Sequence, residues 1–210
     1  MCRKRNIYTM AELNLTFTKL FNEFNNRYFS GELPKVVITF EGGFKKGAFG
    51  WITTAKDWKQ GNTERYHINI SSDYLDRPII DLCSTLLHEM CHLYALVNDI
   101  QDTSRSGIYH NKRFKQIAEA HCLTVREADK IGWSVTSVRE DFREEILAIA
   151  SINSIRIGQK RPADIGGGKS SKPKQSSRKY ICPCCGLIVR ATKDCRIKCI
   201  DCDCEMELGQ

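Results

Sequence analysis

Two histidines four residues apart bracket a glutamate in the run His88-Glu89-Met90-Cys91-His92. On a helix, residues at this spacing lie on one face, one turn above the other. Their imidazoles can then share a single metal ion. Glu89 projects in a neighbouring direction, where its carboxylate can reach a metal-bound water without being a ligand. Zinc suits this donor set: it lowers the pKa of bound water to about 7. Glu89 can accept that water's proton, and the hydroxide can attack a peptide carbonyl that the metal polarises. A pattern that fixes only three positions arises by accident, but this one sits in an apolar stretch where uncompensated His and Glu would be costly.

A catalytic zinc needs a third protein ligand and an open position. One common arrangement is excluded, because it would place Gly at 95 and His at 98, and this chain has Ala95 and Asn98. Three downstream residues remain: His110, Glu119 and His121. His110 lies where a polar loop meets the next helix, a place from which a side chain can reach back. Glu119 and His121 lie inside that helix, where a solvated carboxylate and a packed imidazole are the ordinary roles.

The C-terminal part offers a second donor set. Of eleven cysteines, seven fall at Cys182, Cys184, Cys185, Cys195, Cys199, Cys202 and Cys204. Cys182-x-x-Cys185 and Cys199-x-x-Cys202 are separated by thirteen residues, the pattern of a four-sulfur structural zinc site. Gly186 fits the tight turn after the first pair, and Leu187–Lys198 can form a hairpin. So short a module has little core of its own, so the metal would supply its folding energy. Cys184, Cys195 and Cys204 are surplus, and Cys195 or Cys204 could replace a member of the second pair. Cys91, beside His92, reads as a packed thiol.

These sites need a scaffold, and 41% hydrophobic residues suffice for a packed core. Leu13, Phe17, Leu20, Phe21 and Phe24 recur at helical spacing and predict a helix ending near Ser30-Gly31. Val36–Phe40, Ala48–Thr53 and Tyr66–Ile70 read as strands. A helix should start near Pro78 and run to about Val97; apolar on nearly all sides, it reads as buried and central. Phe114, Ile117, Ala118 and His121 predict another. Thr124-x-x-Glu127 and Ser137-x-x-Glu140 have capping-box spacing, which predicts two more helices. Trp51, Trp58 and Trp133 read as core or rim aromatics, and His67 as structural.

The net charge of +7 is unevenly placed. Gly158–Lys179 holds seven basic residues against one acidic, Asp164, a net +6, whereas Tyr180–Gln210 carries four basic and five acidic, a net −1. The basic stretch also holds Gly166-Gly167-Gly168, several serines and two prolines, and reads as a flexible linker between a domain at 7–157 and a module at 180–208. Its Lys169, Lys172, Lys174, Arg178 and Lys179 are candidates for non-specific phosphate contacts. No apolar run is long enough to span a bilayer, and no apolar segment follows the basic start. A cytoplasmic monomer without membrane contact is the expectation.

Taken together these segments resemble the SprT-like (Spartan-type) metalloproteases. Tyr28-Phe29-x-Gly31-x-Leu33-Pro34, Gly50-Trp51, His67-Ile68-x-Ile70 and Thr85-Leu86-Leu87-His88-Glu89-Met90-Cys91-His92 follow in that family's order. Gly107–Phe114, with His110 followed by x-x-x-Phe, resembles its third-ligand segment, and the cysteines resemble its accessory zinc ribbon. The chain departs in Cys122, where glycine is expected, and in a longer loop before His110. The resemblance implies His88, His92 and His110 as ligands of a catalytic zinc, Glu89 as the catalytic residue, and protein substrates located on DNA, as in DNA–protein crosslink repair. The expected fold is α+β: a zincin-like domain, with a small mostly antiparallel sheet on the buried motif helix, then a ribbon with zinc on Cys182, Cys185, Cys199 and Cys202. The leading function is a zinc endopeptidase. The rival is a non-proteolytic nucleic-acid-binding adaptor, which would have no need of Glu89.

Overall fold

A computed structural model describes residues 8–42, 47–152 and 178–209. The chain forms two compact units, Met1–Ala163 and Asp164–Gln210. Both are built from small sheets, and helices occur in the first, so the fold is α+β.

The first unit opens with α1 (Met10–Tyr28). Its start is held by a capping box: Thr9 Oγ1 accepts from Glu12 N at 3.2 Å, and Glu12 Oε2 accepts from Thr9 N at 2.7 Å. The helix stops where Ser30 and Gly31 take positive φ, 55° and 74°, as the sequence predicts. Buried Asn25 clamps the next turn, donating from Nδ2 to Leu33 O at 3.0 Å and accepting from Leu33 N at 3.1 Å. The buried stripe Leu13, Phe17, Leu20 and Phe24 faces the core; each such side chain contributes about 1.5–3 kcal/mol on burial.

Next come β1 (Val37–Thr39), β2 (Gly50–Ile52), β3 (Trp58–Gln60), β4 (Thr63–Arg65) and β5 (His67–Ile70). β5 lies between β1, which it pairs in parallel, and β2, which it pairs antiparallel. Strands β3 and β4 form a separate exposed hairpin that the sequence did not suggest. Fully buried β5 carries His67, whose Nε2 lies 2.6 Å from Thr39 Oγ1 and whose ring meets Trp51 edge-on at 4.6 Å.

Helix α2 (Ile79–Val97) starts after Pro78 and packs against α1, β2 and β5. Most of its residues are buried, Leu82, Leu86, Leu87, Met90, Cys91 and Leu93 completely, which makes it the central helix of the unit. After it come β6 (Thr103–Ser104), β7 (Tyr109–His110), α3 (Lys112–Ala120), β8 (Leu123–Ala128), β9 (Gly132–Val138) and α4 (Arg143–Ile152). A second sheet has the order β6-β7-β9-β8, with one parallel pairing, His110 opposite Gly132. Among the described residues the strands of the unit are therefore divided between two small mixed sheets and the separate β3–β4 hairpin. Helix α2 also packs on β9, α3 and α4.

The capping-box expectations fail here. Thr124, Glu127 and Ser137 lie in the β8–β9 hairpin, and among the described residues one α-helix follows, α4, after a 3-10 turn at Glu140–Phe142. The reason is period-2 burial: Leu123 and Val125 are buried while Thr124 and Arg126 are exposed. α3 is capped instead by Asn111, whose Oδ1 accepts from Arg113 N at 2.8 Å.

The second unit contains β10 (Arg178–Ile181), β11 (Ile188–Ala191), β12 (Lys198–Cys199), β13 (Cys204–Glu205) and β14 (Glu207–Leu208). The segment Leu187–Lys198 does not fold back on itself. β11 pairs with β10, and β12 pairs with β13, so each Cys-x-x-Cys loop is itself a hairpin turn. Gly186 takes φ 74° after the first pair, the conformation its position requires. The core is small: Tyr180, Cys182, Cys199 and Met206. The first strand starts at Arg178, two residues ahead of Tyr180. Lys169, Lys172 and Lys174 lie outside the described residues.

Candidate metal centres

Helix α2 presents His88 and His92 from successive turns, and β7 brings His110 to the same point. His88 Nε2 is 3.2 Å from His110 Nε2, His92 Nε2 is 3.2 Å from His88 Nε2, and His92 Nε2 is 3.1 Å from His110 Nε2. Three nitrogens around a tetrahedral zinc are about 3.3–3.4 Å apart, given bond lengths of about 2.0–2.1 Å. The triangle therefore fits one face of a zinc coordination shell.

The opposite nitrogen of each ring is tied outward. His92 Nδ1 lies 2.5 Å from Asp102 Oδ2, His88 Nδ1 lies 3.1 Å from Thr136 Oγ1, and His110 Nδ1 lies 3.3 Å from Ile131 O. A carbonyl oxygen can only accept, so His110 Nδ1 carries the proton and its Nε2 offers a lone pair; Asp102 has the same effect on His92. The inward lone pairs of His92 and His110, 3.1 Å apart, repel one another, and a cation removes that repulsion. Burial, with its two histidine neighbours adding to the effect, holds His88 well below the usual imidazole range, and burial lowers His110 to about 4. Both rings are thus neutral and able to ligate at neutral pH.

Phe114, fully buried on α3, underlies the triad: its ring centroid is 4.7, 4.6 and 4.7 Å from those of His88, His92 and His110. His110 is fixed through its backbone as well. Its N donates to Ile131 O at 3.0 Å, and Gly132, at φ 69°, leaves no room for a side chain: a Cβ there would meet His110 O at 2.2 Å.

Glu89 is buried beside the triad, and burial raises its carboxyl to about 7. A bare backbone makes its space. A Cβ on Gly50 of β2 would lie 2.9 Å from Glu89 Oε1 and 2.9 Å from Asn69 O. Of the other candidates, His121 stacks on Phe29 at 4.2 Å with its Nδ1 2.7 Å from Ile117 O. Glu119 is exposed, 3.8 Å from Lys115 Nζ. Neither joins the triad. Asp102, Thr136 and Gly132 carry no motif of their own that marks them as supports of the site, and Gly50 stands in the Gly50-Trp51 segment of the resemblance with no role assigned to it there.

In the second unit the sulfurs of Cys182, Cys185, Cys199 and Cys202 lie within 4.8 Å of one another. Cys185 Sγ is 3.8 Å from Cys199 Sγ, about the sulfur spacing of a tetrahedral zinc with bonds of about 2.3 Å. Cys185 N donates to Cys182 Sγ at 3.5 Å, and such backbone donors lower the Cys182 thiol to about 6, favouring the thiolate that a metal requires. Cys182, Cys184 and Cys204 form a second, overlapping group. Cys195 is exposed and belongs to neither.

The first unit thus holds three histidines that could hold a metal ion, two on a helix packed between two small sheets and one on β7, with a buried carboxylate next to them. A family model described as SprT-like family matches residues 17–130, more than half of the chain and all four of these residues, and the chain belongs to that family. No curated protein and no solved structure gives a match. No helix among the described residues is long and apolar enough to cross a membrane.

Proposed function

We propose that the first unit is a zincin-like zinc endopeptidase acting on proteins associated with or crosslinked to DNA. The observation that carries the reaction is the convergence of three outward-anchored imidazoles beside a buried carboxylate of raised pKa. Zinc, when bound, supplies Lewis-acid polarisation of the scissile carbonyl and acidity to water. Glu89 takes the proton of the attacking water and returns it to the leaving amine nitrogen. A carboxyl tuned close to neutrality suits both transfers. Asp102, Thr136 and the Ile131 carbonyl hold the imidazole rings in place, so the ligands need no reorganisation. In the second unit Cys182, Cys185, Cys199 and Cys202 hold a structural zinc that supplies most of the folding energy of so small a core.

DNA is the partner this reading assigns to Lys169, Lys172, Lys174, Arg178 and Lys179. Its support is the net +6 of Gly158–Lys179 and family membership. Arg178, on β10, has its Nε 2.5 Å from Asp194 Oδ1, so the lysines carry the larger share of phosphate contact. Contacts of this kind position a protein without reading bases.

The test is to incubate the zinc-loaded protein with a DNA-binding protein, with and without DNA, and to identify fragments by mass spectrometry. Peptide-bond cleavage that rises with DNA and disappears with a chelator is expected. A fully metallated protein that cuts neither form would leave the adaptor reading in its place. Changing the five basic residues together to Gln should lower DNA affinity and its salt dependence.

A further inference from the structure

The second unit holds more thiols than one tetrahedral ion can use. The sulfurs of Cys182, Cys184 and Cys204 lie within 4.8 Å of one another, as do those of Cys182, Cys185, Cys199 and Cys202. Cys182 belongs to both groups. Its Sγ is 3.4 Å from Cys204 Sγ, close to the spacing of two sulfurs on one ion.

The placement of the surplus thiols follows from the backbone. Cys204 pairs with Cys199 across the β12–β13 hairpin, and directly opposed residues share a face of the ladder. Cys204 must therefore point to the side on which Cys199 faces its site. Asp203, at φ 52°, turns the chain between Cys202, in the four-sulfur group, and Cys204, in the three-sulfur group. Cys184 lies in the loop between Cys182 and Cys185, exposed, while Cys182 is buried between the two groups.

We propose that the second unit is a two-ion thiolate centre, in which a second soft cation binds Cys182, Cys184 and Cys204 and the Cys182 thiolate bridges the two ions. The proposal rests on the four-cysteine site holding the first ion. Binding of the second ion releases the thiol protons of Cys184 and Cys204 to solvent, while Cys182 is already a thiolate on the first. Thiolate-only donors select soft cations such as zinc in excess, cadmium or cuprous ion. Three protein donors leave one position open, and Cys184 is exposed, so the second ion binds more weakly and exchanges faster.

Cadmium titration of the full chain, reduced with a phosphine, tests this. The thiolate-to-metal charge-transfer band counts sulfur-bound ions and is silent to the histidine centre, and native mass spectrometry counts all ions. The band should grow in two phases, with three cadmium ions per chain at saturation. Cys184→Ser should remove the weaker phase and one ion while leaving the tighter phase intact. A single phase and two ions in the unaltered chain would overturn the proposal. So would loss of the tighter ion in Cys204→Ser with its retention in Cys202→Ser, which would make Cys204 the fourth ligand of a lone ion. Absence of any thiolate band would instead overturn the four-cysteine site itself.

Discussion

The carboxylate of Asp102 lies 2.5 Å from Nδ1 of His92, ten residues earlier on the central helix. It holds the ring with Nε2 directed at His88 and His110. Asp102→Asn should therefore weaken zinc binding about 10–100-fold, the usual effect of losing such a partner. Competition with a chromogenic chelator measures it. An unchanged affinity would mean that packing alone orients His92.

His110 and His121 should separate cleanly. His110→Ala removes one corner of the nitrogen triangle and should strip zinc from the first unit. His121→Ala removes a ring stacked on Phe29 and should cost stability while zinc stays bound. Metal analysis of both variants, each truncated at Ile157 so that the cysteines do not contribute, distinguishes the two.

Gly50→Ala tests the space behind the carboxylate. The new Cβ would press on Glu89 Oε1 and on Asn69 O, both at 2.9 Å. Overpacking of this kind typically costs about 1–3 kcal/mol. The rate should fall further than this stability loss explains, because Glu89 itself is displaced, and zinc content should hold. A shift in KM alone, with kcat unchanged, would place Gly50 in substrate binding instead.

Acid should destabilise the metal-free first unit. His110 has its pKa lowered from 6.5 to about 4 and His88 is also lowered. As pH falls through 6.5 the unfolded chain takes up protons that the folded one refuses, so stability falls until about pH 4. Glu89, raised from 4.5 to about 7, works in the opposite sense: the folded form keeps a proton that the unfolded form has lost. Glu89→Gln should therefore steepen the loss of stability on acidification. All three tryptophans, Trp51, Trp58 and Trp133, lie in this unit, so denaturation followed by their fluorescence in chelator reports on it alone.

What could be read from the sequence is what has a strong period or a fixed spacing. The heptad-like stripe of α1 and the all-round apolarity of α2 announce themselves, and so do the paired cysteines. The β8–β9 hairpin was obscured because Thr124/Glu127 and Ser137/Glu140 match a cap by spacing alone, whereas the alternation of Leu123 and Val125 with polar residues decides the strand. The β3–β4 hairpin has every residue exposed and therefore no pattern to read. Asp102 and Gly132 act through tertiary contacts with His92 and His110, which no local rule reaches.

The most direct test of the central claim is a paired measurement on Glu89→Gln: zinc content by elemental analysis and peptide-bond hydrolysis of a DNA-bound protein. Gln is nearly isosteric, keeps the fold and is not a ligand, but it cannot take a proton from water. Full zinc occupancy at both centres with hydrolysis reduced to background is the expected result. Hydrolysis retained near the wild-type rate, or zinc lost from the histidine centre, would contradict the role assigned to Glu89.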